Sequence, residues 1–189
     1  MIRFKVPAKK EVSNKNKEVF IHFEEALGSV PNLYGVMAYS DNALLKYMAF
    51  QNSPSSLNIK EKEVINLVVS QVNGSRYCLS EHTLIAKMNG LSDEEILKIR
   101  RGNASDPKLD ALVVFAKAVT ETKGNVAEKV LNVFFDAGYT KGNLVDVILQ
   151  VSDEIAGNYL FNITHVPIDF PLADELDSEI KMKQNSLIK

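Results

Sequence analysis

Cys78 is the only cysteine of this chain, and it lies in the stretch Ser75-Arg76-Tyr77-Cys78-Leu79-Ser80-Glu81-His82. A helix running through this stretch places His82 one turn beyond Cys78, on the same face. A thiol and an imidazole so spaced are the nucleophile and the base of a thiol redox centre. The resolving cysteine of a C-x-x-C motif would stand at position 75, where this chain has Ser75. With one cysteine, no disulfide can form within the chain.

The surrounding elements must position this pair. Gly74 ends one helix and Cys78 falls in the first turn of the next, where unpaired N–H groups and the helix dipole favour a thiolate. Cys78 is therefore expected to be more acidic than a free thiol. Glu63 shares a stripe of the preceding helix with Leu67 and Ser70, and so short a break forces the two helices to lie antiparallel or steeply crossed. Glu63 is then within reach of His82, and Glu63, His82 and Cys78 in line would form a proton relay. Each residue also has a structural reading. Cys78 can be inert packing, His82 a helix-surface residue, Glu63 a solvated first-turn glutamate, and Ser75 the N-cap of the Cys78 helix.

Helical punctuation runs through the whole chain. Val19, Phe20, Phe23, Ala26 and Leu27 form an apolar stripe stopped by Gly28. A second segment opens at Pro31, with Leu33, Val36, Met37, Leu44, Leu45 and Met48 roughly in phase, before the loop at Ser53-Pro54-Ser55-Ser56. Helices are expected over 60–73 and 78–89, each followed by glycine. A short one starts at the capping box Ser92-Asp93-Glu94-Glu95. Another opens on Asp106-Pro107 and ends near Gly124, and one spans 126–137. The last long helix carries Leu144, Val147, Ile148, Val151, Ile155, Tyr159, Leu160 and Ile163. The expectation is an all-α, single multi-helix domain of seven or eight helices over residues 1–189, with its core at about 18–171 and a polar, loosely held tail at 172–189. Val133-Phe134-Phe135 and the aromatic run Phe20 to Phe23 suggest apolar faces buried between subunits.

Composition narrows the function classes. A chain of 189 residues with 46% apolar residues, 24% charged residues and a net charge of −2 is ordinary for a soluble globular domain. It has no basic footprint for nucleic acid, Arg76, Arg100 and Arg101 being too few. No apolar run reaches the ~18 residues of a transmembrane helix, and residues 1–17 lack the apolar core of a signal peptide. A cytoplasmic protein is expected. His22, His82 and His165 are not spaced as a zinc site, and no glycine-rich phosphate loop appears. No metal, cofactor, nucleic acid or membrane partner is expected.

Glu63, eleven residues, then Ser75-x-x-Cys78-x-x-x-His82 resembles the E-x11-C-x-x-C-x-x-x-H signature of the alkylhydroperoxidase D-like branch of the carboxymuconolactone decarboxylase family. Val72-Asn73-Gly74, Tyr77 through Thr83, and Ala137-Gly138-Tyr139 before the last helix extend the resemblance, which runs from about Pro31 to Pro171. It implies an all-α fold assembled as a trimer or hexamer, and a thiol-dependent peroxidase. Carried over, Glu63 and His82 match the proton relay, Cys78 the second motif cysteine and Ser75 the first. Tyr77 stands where some members carry a further histidine, and its phenol can hydrogen-bond but titrates too high to relay protons near neutrality. The two-cysteine cycle cannot run here. Three readings follow: a one-cysteine peroxidase that reduces a hydroperoxide and is resolved by an external thiol, from a small molecule or a protein; a decarboxylase-like lyase using Glu63 and His82; or a non-catalytic helical assembly module.

Overall fold

Caps and left-handed stops set the helix boundaries in the computed structural model, which describes residues 4–176. Ser13 caps α1 (Asn14–Leu27), and Gly28 ends it at φ 80°. Two short helices follow, α2 (Asn32–Met37) and α3 (Ala43–Gln51). The sequence had suggested one segment here. The chain instead turns over Ser40 to Asn42, whose small polar side chains favour a break. Asn58 and Glu61 form a full capping box at the start of α4 (Ile59–Asn73), and Gly74 closes it in the left-handed region at φ 66°. That residue frees the chain to reverse within one position into α5 (Arg76–Met88).

Next come α6 (Asp93–Arg101), α7 (Pro107–Thr122), α8 (Glu128–Asp136) and the long α9 (Lys141–Thr164). Ser92 accepts from the Glu95 N–H as an N-cap should. The Glu95 carboxylate does not return to Ser92 but binds the Ser105 N–H and hydroxyl at 2.7 and 2.6 Å, so the expected capping box is only half formed. Among the described residues there are nine α-helices and no strand, as the all-α reading requires.

The central element is α4, which packs against α5, α6, α7 and α9. Nearly all of its residues from Glu61 to Ser70 are buried. One apolar cluster joins α4, α6, α7, α8 and α9 through Val64, Leu67, Val68, Leu112, Phe134 and Val151. A second, built from α1, α2, α3 and the start of α5, holds Phe20, Leu33, Val36, Leu44, Tyr77 and Cys78. The thiol therefore sits in an apolar cluster, away from the main core.

Burial differs from the sequence pattern in two places. Phe134 is fully buried, Phe135 packs on the core and Phe20 is covered, so this chain itself absorbs most of the apolar surplus expected there. On α9 the buried stripe runs through Val147, Val151, Glu154, Asn158 and Phe161, whereas Ile148, Tyr159 and Ile163 face outward. Apolar residues occupy both sides of α9, and the carboxylate stripe is the one that α4 and α5 cover. Of the expected tail, residues 172–176 are held: Ala173 N–H donates to Ser80 Oγ, Arg100 donates to the Asp174 carbonyl, and Leu176 is buried. Residues 177–189 lie outside the described residues.

Candidate functional site

Reversal at Gly74 lays α5 against α4, and α9 crosses both. This brings four acids and one imidazole together. His82 Nδ1 lies 2.9 Å from Glu63 Oε2, and Nε2 lies 3.0 Å from Glu154 Oε2. The Glu63–His82 contact expected from the helix break is present. Glu154 is a residue that sequence reasoning missed. Its signal was a carboxylate and an amide, Glu154 and Asn158, on the same stripe as Val147 and Val151, where a solvated helix would carry apolar groups.

The carboxylates are held in turn. Ser70 Oγ donates a very short hydrogen bond to Glu154 Oε1, and Asn158 Nδ2 donates to the same oxygen at 2.7 Å. Gln150 Nε2 donates to Asn66 Oδ1 at 2.9 Å, which turns the Asn66 amide nitrogen toward Glu63 Oε1 at 3.4 Å. Burial would by itself hold the His82 imidazole neutral, but Glu154 and Glu63 outweigh it and raise its pKa well above the ordinary value. Burial likewise opposes the Glu154 charge, and His82 with the Ser70 and Asn158 hydrogen bonds brings its pKa below the usual carboxylate range. The group is a carboxylate–imidazolium–carboxylate bridge.

That bridge changes the role of His82. Both ring nitrogens already donate to carboxylates, so neither is left to take the Cys78 proton. The thiol is also not acidic, contrary to the sequence expectation. Burial pushes its pKa upward and Glu154 adds to this, against the weaker opposing effects of Ser75 and His82. The helix N-terminus that should have favoured a thiolate is outweighed because Cys78 is only 3% exposed. A Cβ added at Gly157 of α9 would lie 3.7 Å from the thiol sulfur and 3.4 Å from the Tyr47 hydroxyl, so α9 closes directly over the thiol.

Ser75 occupies the N-cap position of α5, but its hydroxyl caps no N–H. Oγ is buried without a partner of hydrogen-bond geometry, on the side of Cys78. Tyr77 is fully buried and turned away: its hydroxyl accepts from the Leu33 N–H at 3.2 Å, and its ring packs on Phe161 and Phe170. We expect Ser75→Cys to form a reversible disulfide with Cys78, because both side chains start from one helix turn and converge in one buried space. Thiol counting after mild oxidation should show two thiols lost and restored by reductant; two thiols unchanged would contradict it.

A cleft of about 260 Å³ opens on the other side of His82. Its lining includes Glu63, Glu81, His82 and Asp153, with Tyr34 and Ile85 as apolar wall, and it does not include Cys78. Glu81 is half-buried there, and burial with the neighbouring carboxylates raises its pKa to about 7 against the pull of His82. Asp153 is 4% exposed, and its pKa is raised to about 6, chiefly by burial. Sequence reasoning missed both residues. Glu81 was visible inside the motif, three residues after Cys78, but nothing in a helical surface pattern marks a glutamate as perturbed. Among the described residues no cluster has the geometry to hold a metal ion, and no helix is long and apolar enough to cross a membrane.

Comparison with known proteins agrees with this architecture. Residues 40–122 match the carboxymuconolactone decarboxylase family. The fold is similar to that of an uncharacterized peroxidase-related protein from Silicibacter sp. TM1040, with TM-score 0.76, 20% identity, and 90% of this chain and 91% of the other covered. It is also similar to an alkylhydroperoxidase AhpD core, an uncharacterized peroxidase-related protein from Ralstonia eutropha JMP134, with TM-score 0.77, 19% identity, and 91% and 92% covered. A third similar fold is the debrominase Bmp8 in complex with 2,3,4-tribromopyrrole, with TM-score 0.72, 15% identity, and 89% and 93% covered. No curated protein matches the chain. Residues 40–122, which hold Glu63, Ser75, Cys78 and His82, thus match the carboxymuconolactone decarboxylase family, and the chain as a whole has an alkylhydroperoxidase D-like fold.

Proposed function

We propose that this protein is a one-cysteine thiol peroxidase: Cys78 reduces a hydroperoxide and is regenerated by an external thiol. One observation carries the reading. A buried thiol, a glutamate one turn along the same helix with a pKa of about 7, and a fixed carboxylate–imidazolium–carboxylate bridge share one site beside a cleft.

Cys78 is a neutral thiol at rest. Glu81, at i+3 on α5, is the group matched to accept its proton near neutrality. The resulting thiolate attacks the distal peroxide oxygen; the S–O bond forms as the O–O bond breaks. Glu81 returns the proton to the departing alkoxide. The balance is Cys78-SH plus ROOH giving Cys78-SOH plus ROH. One external thiol then displaces water to give a mixed disulfide, and a second releases Cys78-SH and an external disulfide. Glu63 and Glu154 hold His82 as a cation beside the thiol, where its charge favours the thiolate. Treatment with a small excess of hydroperoxide followed by mass spectrometry should find sulfenic acid or mixed disulfide at Cys78. An unmodified Cys78 overturns the reading.

A second reading has its own support. The cleft reaches Glu63, His82, Glu81 and Asp153 but not Cys78, which suits proton-transfer chemistry of the decarboxylase kind with the thiol as bystander. Turnover retained in Cys78→Ala would favour it.

We also propose that copies of this chain assemble through α9. Val145, Leu149, Tyr159 and Ile163 are 48–71% exposed along one side of a buried helix, more apolar area than a solvated face carries. Light scattering after size exclusion should give a trimer or hexamer, and Ile163→Glu should shift it toward monomer. A monomeric parent protein would remove the proposal.

A further inference from the structure

The cleft beside His82 has a composition that selects for charge. Three of its lining residues, Glu63, Glu81 and Asp153, are acids, and a fourth acid, Glu154, lies behind His82. Against them stand the His82 imidazolium, already shared between Glu63 and Glu154, and Lys62, whose charge acts on Asp146 at the neighbouring surface. The opposite wall is aromatic and aliphatic. Tyr34 lines the cleft, packed between the tilted rings of Phe23 at 5.0 Å and Tyr47 at 6.1 Å, and Glu81 and Asp153 both act on its hydroxyl. Its hydroxyl is engaged by Gln51 Oε1 at 2.8 Å, so the ring is held in place.

Asp153 supplies an independent observation. It is a nine-tenths-buried carboxylate lining the cleft, and its Oδ1 has no partner of hydrogen-bond geometry, while Gln150 Nε2 lies 3.5 Å from Oδ2 and the Tyr47 and Gln51 side chains also act on the carboxylate. A buried carboxylate oxygen without a donor is a demand for one. A carboxylate next to an aromatic ring is the arrangement that recognises an organic ammonium group, by a charge-assisted hydrogen bond and by attraction to the ring face. A carboxylate ligand would meet three acids, with Lys62 the one lining cation outside the His82 bridge among the described residues.

We infer that this cleft binds small molecules carrying an ammonium group on an apolar body, with Asp153 as the anchor and Tyr34 as the wall, and that it rejects carboxylates. The inference goes beyond the peroxidase reading, because the cleft does not reach Cys78; it concerns binding and is tested without turnover.

Benzylamine and benzoate serve as probes of matched shape and opposite charge, titrated against the intact protein by saturation-transfer NMR. Benzylamine should bind at least about tenfold more tightly than benzoate, the size expected of one hydrogen bond to a charged group. Asp153→Asn should remove that preference, with the folded state checked by circular dichroism. Cys78→Ala, which ends the proposed peroxidase chemistry, should leave benzylamine binding as it is. Benzoate binding as tightly as benzylamine, or no benzylamine binding up to about 10 mM, overturns the inference without any variant. A preference that persists in folded Asp153→Asn overturns the assignment of the anchor.

Discussion

Cys78→Ala is expected to abolish peroxide turnover, by at least about a thousandfold, because it removes the only thiol in the chain and with it the atom that is oxidised. Glu81→Gln should cost less, about a hundredfold, the ordinary size of a lost general acid–base group. The two variants also differ in their pH dependence. Glu81 must be ionised to take the Cys78 proton, so kcat/KM of the parent protein should rise as pH increases through about 7, the value to which burial and neighbouring carboxylates push this side chain. Glu81→Gln should flatten that rise. Were His82 the base instead, the profile would persist in Glu81→Gln. Steady-state peroxide consumption in the three proteins at several pH values decides between these outcomes. Equal turnover in Cys78→Ala would end the thiol mechanism and leave the proton-transfer reading of the cleft.

His82→Leu is expected to destabilise the fold by about 3–5 kcal/mol, the cost of leaving buried charge without its partner. Glu63 and Glu154 are buried at 6% and 5% exposure, and each loses its closest cation in this variant. The parent protein should itself show a stability maximum near pH 5. The pKa of His82 is raised in the folded state, so its contribution is complete below its ordinary value of 6.5 and is lost as pH rises through the folded value. Glu154 is lowered, so its contribution is present above its ordinary value of 4.5 and is lost as pH falls below it. Glu81 and Asp153 are raised to about 7 and about 6, so the folded state prefers them protonated and stability declines further as pH rises from their ordinary values of 4.5 and 3.8 to those values. Urea unfolding at pH 5 and pH 8 should therefore give the higher midpoint at pH 5. A higher midpoint at pH 8 would mean that the raised acids and the bridge do not govern the titration.

The sequence reached a long way into this site because its first links are local. Gly74 had to be left-handed to stop α4, and a one-residue reversal had to bring the stripe of Glu63 back against His82; both are properties of adjacent residues. The same locality made most helix boundaries legible, since caps and left-handed stops are set within four residues. It failed between α2 and α3, where three small polar residues broke a stripe that otherwise stayed in phase.

What the sequence alone determined was the all-α fold, the pairing of Glu63 with His82 and the absence of an internal disulfide. Only the tertiary structure decided the charge states. Glu154 lies 72 positions from His82 in the chain, and nothing local brings α9 over the head of α5. Its arrival occupies the second imidazole nitrogen, holds His82 as a cation and buries Cys78 under Gly157, so the thiol that the helix dipole should have made acidic is neutral instead. Helix-end effects amount to roughly 0.3–1 kcal/mol at an exposed terminus, whereas desolvation by a packed neighbour can shift a pKa by several units. The larger effect comes from contacts distant in sequence, and it leaves both His82 nitrogens facing carboxylates and not the thiol.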